Sequence, residues 1–279
     1  RGGGQAGPHA QQLELAAGQA VHPDVPQVLQ ALGQVGVFRA HQLQVELLRL
    51  SQQAEASDAR RGQLDDELAE ISAELEKVSA AKVIRWAVEN FSPHLAMTAS
   101  MTDAVLIDLA IKVDPAIEVV FIDTGYHFPE TLETVEEVRR HYGLNLRMMT
   151  VARQEEELWE ADPENCCSAV KVGQLDRALA GKAAWMSGLR RQESDSRSDA
   201  PIVSRDLRGL VKVNPIATWT DADVAAYIAD HDIIVNPLTQ QGYPSIGCMP
   251  CTTPVADGED PRAGRWRGKD KSECGLHLV

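Results

Sequence analysis

The sequence predicts an α/β fold, a parallel sheet flanked by helices, and three observations lead to it. From Pro93 onward short apolar runs alternate with amphipathic stretches of helical length. Two of the apolar runs end in polar, turn-forming residues, Ser100 to Asp103 and Asp123-Thr124-Gly125. The resulting β-α-β-α-β order is satisfied by parallel strands with helices on both faces. Ligands on such sheets sit at the carboxyl ends of the strands, where Ser100 and Asp123 are expected.

The segments before that alternation read differently. Residues 1–57 are rich in Gln, Ala and Gly, hold no Lys, and have Phe38 as their only aromatic residue. They are expected to be a low-complexity extension, disordered or weakly helical through Val28 to Leu50, or an artefact of the assigned start, since the first Met is Met97, with a partner-binding arm as the alternative. Residues 58–279 then form one catalytic domain, with an irregular tail from about 255 to 279. Leu64, Leu68, Ile71, Leu75 and Val78 recur at alternating four- and three-residue steps and predict a helix over Leu64–Asn90. Val83, Ile84 and Ala87 continue an apolar face out of strict register with the first five.

In order, the domain then offers a strand at Leu95–Ser100, a helix over Thr102–Val113, and a strand at Ile117–Ile122. A helix opened by Pro129 runs to His141, followed by a strand over Leu146–Val151. Gln154–Trp159 and Cys166–Leu179 read as helical, Ala183–Leu189 as a strand, and Arg190–Ala200 as a polar loop. Leu210–Asn214 is a further strand, and Asp221–Asp230 a helix capped by Thr220. After Pro237 the chain is irregular, studded with Gly, Pro and Arg.

Composition narrows the function. The 279 residues carry a formal net charge of −14, which argues against nonspecific nucleic-acid binding. No run approaches the roughly 20 apolar residues that cross a bilayer, and no signal-peptide pattern opens the chain. Five cysteines without such a signal point to a reducing, cytoplasmic setting in which thiols act as ligands or reagents.

Those cysteines organise the chemistry. Cys166-Cys167 and Cys248-x-x-Cys251 form two tight pairs, and Cys274 stands alone near the end. Two distant pairs of soft ligands closed by folding suit a tetrathiolate site. A zinc site prefers a C-x2-C spacing in both halves, which the adjacent pair fits poorly, and disulfides fit the compartment poorly. A four-iron cluster suits the count better, and zinc remains open. Cys274 lies among Lys269, Lys271 and His277, which favour thiolate, and beside Glu273, which opposes it. A lone thiol so placed is a candidate nucleophile.

The remaining candidates bind anions. Ser100-Met101-Thr102-Asp103 joins a strand to a helix and lacks the glycines of a phosphate loop. Asp123-Thr124-Gly125 through Thr131 builds a corner beside it, expected to shape a nucleotide pocket. Arg190, Arg191 and Arg197 follow a strand end, and Arg262 and Arg265 precede the lone thiol. Arginine forks match sulfate and phosphate oxygens. Lys171 is four residues past Cys167, on the same face if that segment is helical.

Taken together these residues resemble the assimilatory adenylylsulfate reductase family, from about Phe91 to His277. The cysteine pairs, Glu273-Cys274-Gly275-Leu276-His277, and Tyr243-Pro244-Ser245-Ile246-Gly247 carry the likeness. The resemblance implies an adenine-nucleotide α-hydrolase-like fold, with a modified pyrophosphatase loop at Ser100–Asp103. It implies one [4Fe–4S] cluster per subunit on Cys166, Cys167, Cys248 and Cys251. It also implies substrate contacts from Ser100, Lys171, Arg197, Arg262 and Arg265. The activity implied is reduction of adenosine 5′-phosphosulfate to sulfite and AMP, for cysteine biosynthesis. Cys274 would carry an S-sulfo intermediate, thioredoxin or glutaredoxin would supply the thiols, and the protein would be a homo-oligomer. The paired cysteines favour that substrate over its 3′-phosphorylated relative. A nucleotide-binding iron–sulfur sensor has no need of Cys274, and an ATP-pyrophosphatase-type adenylating enzyme is disfavoured by the glycine-poor loop.

Overall fold

The computed structural model describes residues 37–151, 158–269, 271, 273 and 275. The chain divides into two compact units, Arg1–Gly62 and Gln63–Val279. Described residues of the first unit are helical, within a helix α1 that spans Val37–Leu75 without a boundary at position 57. All that follows concerns the second unit.

The single helix expected over Leu64–Asn90 is two. Helix α1 ends at Leu75, its last amides turning to tighter bonds from Lys77 to the Glu74 carbonyl and from Val78 to that of Leu75. Ser79 is extended and starts α2, Ala80–Phe91. The break falls between Val78 and Val83, where the apolar register slips. A straight helix could not turn both stripes toward one core. Helix α2 buries Ala80, Val83, Ile84 and Ala87, one face at helical spacing.

Six strands make one sheet: β1 Leu95–Thr98, β2 Glu118–Asp123, β3 Asn145–Thr150, β4 Ala184–Met186, β5 Val203–Arg205 and β6 Val211–Val213. Their spatial order is β3-β2-β1-β4-β6-β5. All neighbours run parallel except β5 and β6, which pair antiparallel from Val203 opposite Val213 to Arg205 opposite Val211. The sheet is thus mostly parallel, as expected, with one antiparallel pair at its edge. Strand β5 has three residues, too few to show alternation, and its hairpin turn hides in Asp206-Leu207-Arg208-Gly209. There Gly209, at φ 81°, donates to the Asp206 carbonyl.

Helices α3 (Val105–Ile111), α4 (Pro129–Tyr142) and α8 (Asp221–His231) follow β1, β2 and β6, while α5 (Leu158–Ala161), α6 (Pro163–Cys167) and α7 (Gly173–Leu179) lie between β3 and β4. Ile107, Val119, Phe121, Val135 and Val138 belong to the larger apolar cluster, and Ala96, Val120, Leu175, Leu179 and Trp185 to a second one. Alternate residues of β2 therefore enter different cores, as parallel strands covered on both faces require. Thr220 caps α8 by accepting from the Asp223 amide at 3.1 Å, as expected. Helix α8 is fixed to α3 where the Tyr227 hydroxyl donates to Asp108 at 2.6 Å.

Strand β1 lies centrally, with β2 and β3 to one side and β4, β6 and β5 to the other. That reversal of direction makes the carboxyl ends of β1 and β4 the switch point at which such sheets bind ligands. The Ser100 loop and the Arg190–Arg197 loop leave those two ends side by side.

Phe121, 1% exposed, belongs to the larger core. Phe121→Ala is expected to cost about 3–5 kcal/mol, read as a fall in the urea midpoint at unchanged slope. A midpoint equal to the parent's would contradict this packing.

Candidate active site

The loop after β1 is held from below. Met101 has a left-handed backbone, φ 61°, and a side chain only 1% exposed. A non-glycine residue tolerates this only where its surroundings enforce it. Here Asn236 donates to the Met101 carbonyl and to Thr131 Oγ1, each at 3.1 Å, and its amide donates to Thr102 O at 3.0 Å. Asp103 accepts from the Val105 amide at 3.0 Å, at the start of α3. Burial raises its carboxyl, the amide bond and Arg190 opposing. Ser100 is left exposed, its hydroxyl 3.5 Å from that of Thr102.

The corner after β2 faces the cysteines. Asp123 accepts from the Gly125 amide at 2.9 Å, and Gly125 turns the chain at φ 73°. Thr124 Oγ1 lies 3.3 Å from Cys248 Sγ, and the Met249 amide donates to the Tyr126 carbonyl at 2.7 Å. The segment expected to shape a nucleotide pocket thus also docks the Cys248–Cys251 turn. His127 Nε2 lies 2.9 Å from the Ile122 carbonyl, so Nε2 carries the proton and Nδ1 is a buried acceptor. Burial holds this histidine below its ordinary range, against that bond's opposing pull, with Lys171 and Arg265 lowering it further.

Cys166 and Cys167 end α6, which Asp162 begins by accepting from the Asn165 amide at 3.1 Å. A π turn, Ser168–Val172, separates α6 from α7. Such turns mark functional sites, and this one carries Lys171. Cys248 and Cys251 flank a short 3-10 turn closed by the Cys251 amide on the Cys248 carbonyl at 3.0 Å. The Trp266 amide donates to the Cys251 carbonyl at 2.9 Å and ties the following loop to it.

All four thiols line one cavity, together with Lys171, Arg265 and the rings of Tyr126, Trp159 and Trp266. None of the four is in a disulfide. Burial pushes the Cys166 thiol up to about 11, the other three thiols add to that, and Lys171 opposes it. Cys251 is raised likewise by burial and then by Cys248. Among the described residues no three His, Cys, Asp or Glu are grouped as a single metal ion requires.

Arg265 is built in with care. Its guanidinium bonds Ser245 Oγ and the Ile246 carbonyl, each at 3.3 Å, and lies 4.5 Å from the Trp266 ring centre. It crosses the bare backbone of Gly247, where a Cβ would come within 2.3 Å of Nη2. A Cβ on Gly264 would meet the Thr253 carbonyl oxygen at 2.0 Å, so this glycine lets two backbones touch.

The other arginines divide. Arg190 bonds Asp221 at 2.8 Å, and Arg191 bonds the Ala200 carbonyl at 2.8 Å and also Glu76. These two pin the loop, which the bare sequence read as part of an anion cluster. Arg197 and Arg262 gather instead around Glu273. Cys274 and His277 lie outside the described residues.

The Phosphoadenosine phosphosulfate reductase domain matches residues 93–254. The chain belongs to the phosphoadenosine phosphosulfate reductase family. An adenosine 5′-phosphosulfate reductase of Streptomyces coelicolor is 47% identical over 213 residues, covering 73% of this chain and 90% of its own. One from Rhodococcus opacus is 43% identical over 240 residues, covering 79% and 97%. A crystal structure of phosphoadenylyl-sulfate reductase from Candida auris superposes with a TM-score of 0.60 at 29% identity, covering 68% of this chain and 97% of that one. No helix among the described residues of this reductase-family chain is long and apolar enough to cross a membrane.

Sequence reasoning passed over Trp159 and Trp266 as cavity residues, and Lys212 altogether. Lys212 had a signal, a cation between Val211 and Val213 in a strand. It is 1% exposed, with its ammonium 5.3 Å from the Trp185 ring centre. Burial pushes it down to about 8, Arg197 adding and Asp206 opposing. A folded value below the ordinary 10.5 means the unfolded chain binds the proton more tightly between these limits. Charged Lys212 therefore opposes folding below pH 8, and the opposition fades as pH rises toward 10.5. Lys212→Met removes the titration. The stability of the variant relative to the parent is expected to decline across that pH window in chemical denaturation. A pH-independent difference would contradict a buried, depressed lysine.

Proposed function

We propose that this chain reduces adenosine 5′-phosphosulfate to sulfite and AMP, with Cys274 as nucleophile. The observation that carries the reading is the convergence of two distant cysteine pairs with Lys171 and Arg265 in one cavity. The 43–47% identity to proteins named adenosine 5′-phosphosulfate reductase supports the choice of substrate.

The donor set fits a cluster. Burial raises the Cys166 and Cys251 thiols, so a site that needs them as thiolates must supply compensating positive charge. Four irons take one thiolate each, which matches four cysteines. Tyr126 brings a buried hydroxyl without a hydrogen-bond partner to the cavity wall, a donor for which a sulfur acceptor is missing. Cys166, Cys167, Cys248 and Cys251 would hold one [4Fe–4S] cluster. When bound, that group supplies a structural clamp and a local field rather than electrons for the substrate.

The reaction uses this chain's own groups. Lys171, Arg262 and Arg265, with Ser100 at the loop after β1, hold the phosphate and sulfate oxygens. The Cys274 thiolate attacks the sulfur, and the bond from sulfur to the phosphate oxygen breaks, releasing AMP. Cys274 then carries an S-sulfo group. A thiol of thioredoxin or glutaredoxin attacks the cysteine sulfur, and sulfite leaves with the electron pair. The partner's second thiol resolves the mixed disulfide, so its dithiol is the two-electron donor. A cytoplasmic setting and a homo-oligomeric assembly belong to the same proposal.

Sulfite release with thioredoxin present tests the reading. Turnover of adenosine 5′-phosphosulfate is expected, with at least about tenfold lower kcat/KM on the 3′-phosphorylated nucleotide. Cys274→Ser should abolish turnover, and Lys171→Ala should lower kcat/KM by about 10–100-fold, as loss of a charged contact to the reacting group does. Preference for the 3′-phosphorylated nucleotide would reassign the substrate. No sulfite from either would leave a nucleotide-binding sensor.

A further inference from the structure

Lys269 bridges the two chain segments that carry the cysteine pairs. On the first segment the Asp162 amide donates to the Leu158 carbonyl at 2.8 Å, and the Cys166 amide to the Asp162 carbonyl at 2.9 Å. These bonds join α5, which holds Trp159, to the helix that ends in Cys166 and Cys167. On the second segment the Trp266 amide donates to the Cys251 carbonyl at 2.9 Å. The Lys269 amide in turn donates to the Trp266 carbonyl at 2.8 Å, across a turn that Gly268 makes at φ 78°.

From the end of that turn the Lys269 side chain reaches the first segment. Its ammonium donates to the Trp159 carbonyl at 2.5 Å and stands 5.3 Å from the centre of the Trp159 ring. A charge-assisted bond and a ring contact to one residue fix a side chain that is otherwise flexible. Trp159 and Trp266, at the two ends of this connection, both line the thiol cavity. The ammonium also acts on the thiols. Burial and Cys248 raise the Cys251 thiol, and of the cations that oppose them Lys269 acts most, ahead of Lys171 and Arg265.

We propose that Lys269 is a latch that clips the segment after Cys251 onto the segment before Cys166 and keeps the four-cysteine site closed. The inference rests on that site being the seat of an iron–sulfur cluster. It gives Lys269, which the sequence shows only among the basic neighbours of Cys274, a positioning role at the cysteines. A cluster held by four thiolates is anionic, so the same ammonium offsets charge where it clips. Iron leaves such a site when its wall opens locally, and the latch sets the free energy of that opening. Its effect therefore shows in iron retention and in exchange of the loop amides, and not in nucleotide affinity.

The test uses the full chain, purified without oxygen, as parent, Lys269→Met, Lys269→Arg and Arg267→Met. Methionine keeps the stem beside Trp159 and loses the charge, and arginine restores a cation that donates. Arg267 is a cation of the same loop that bonds Glu259 at 2.9 Å instead. Three quantities are read: iron release to excess ferrous chelator, hydrogen exchange of the Trp266 and Lys269 amides, and affinity for adenosine 5′-phosphosulfate. Lys269→Met is expected to speed release and exchange about tenfold, as loss of one charge-assisted bond does. Lys269→Arg and Arg267→Met should stay within about threefold of the parent, and affinity within about twofold throughout. Unchanged release and exchange in Lys269→Met would overturn the latch. So would an equal acceleration in Arg267→Met, which would make it a general effect of loop charge. A tenfold loss of affinity with unchanged exchange would make Lys269 a substrate ligand instead. If the parent carries no iron the cluster reading fails, and exchange of the two amides alone decides the latch.

Discussion

Bringing four thiols together in one cavity is the constraint on which the rest of this site depends. Cys166 and Cys167 end one short helix, and Cys248 and Cys251 flank a turn far along the chain. Nothing local brings them together. The Tyr126 carbonyl, the Thr124 hydroxyl and the Trp266 amide each hold the second pair in place, so two further loops must be set before the cavity can close. The cavity resists unpaired thiolate charge, as the raised thiols show. Its cations, Lys171 and Arg265, are therefore part of its construction as well as candidates for binding an anion.

Charge is distributed around this constraint rather than merely accumulated. The chain is acidic overall, and most described arginines are held by carboxylates. Arg190 and Arg191 tie the loop after β4 to α8 and to the end of α1's neighbourhood through Asp221 and Glu76. Arg197 continues that chain of pairs to Glu273 and so to the tail. What looks in sequence like one basic patch is physically a row of anchors. Arg265 is placed by packing, across Gly247 and against Trp266, which fixes a cation without needing a carboxylate.

Much of the fold was legible because its signals are local. Pro129 at the start of a helix, Thr220 as a cap, and apolar runs ending in Asp or Ser all act within a few residues. Strand β5 was missed because three residues carry no period, and the helix break at Ser79 was visible only as a slip in register. The cysteine set was legible from identity and spacing, since few chemistries use such pairs. The partners of the arginines were not. Whether Arg191 meets a substrate or Glu76 depends on packing across the fold, and Glu273 read in sequence only as a charge opposing its neighbouring thiol. Trp159 gave no signal, because an aromatic residue beside a loop is equally at home in a core.

The central claim is nucleophilic transfer to Cys274, and intact mass tests it most directly. Anaerobically purified protein is mixed with adenosine 5′-phosphosulfate without thioredoxin and weighed. The account predicts a covalent gain of about 80 Da, mapping to Cys274 and lost on adding thioredoxin, as an S-sulfo intermediate requires. An unmodified chain that nonetheless releases sulfite would contradict it.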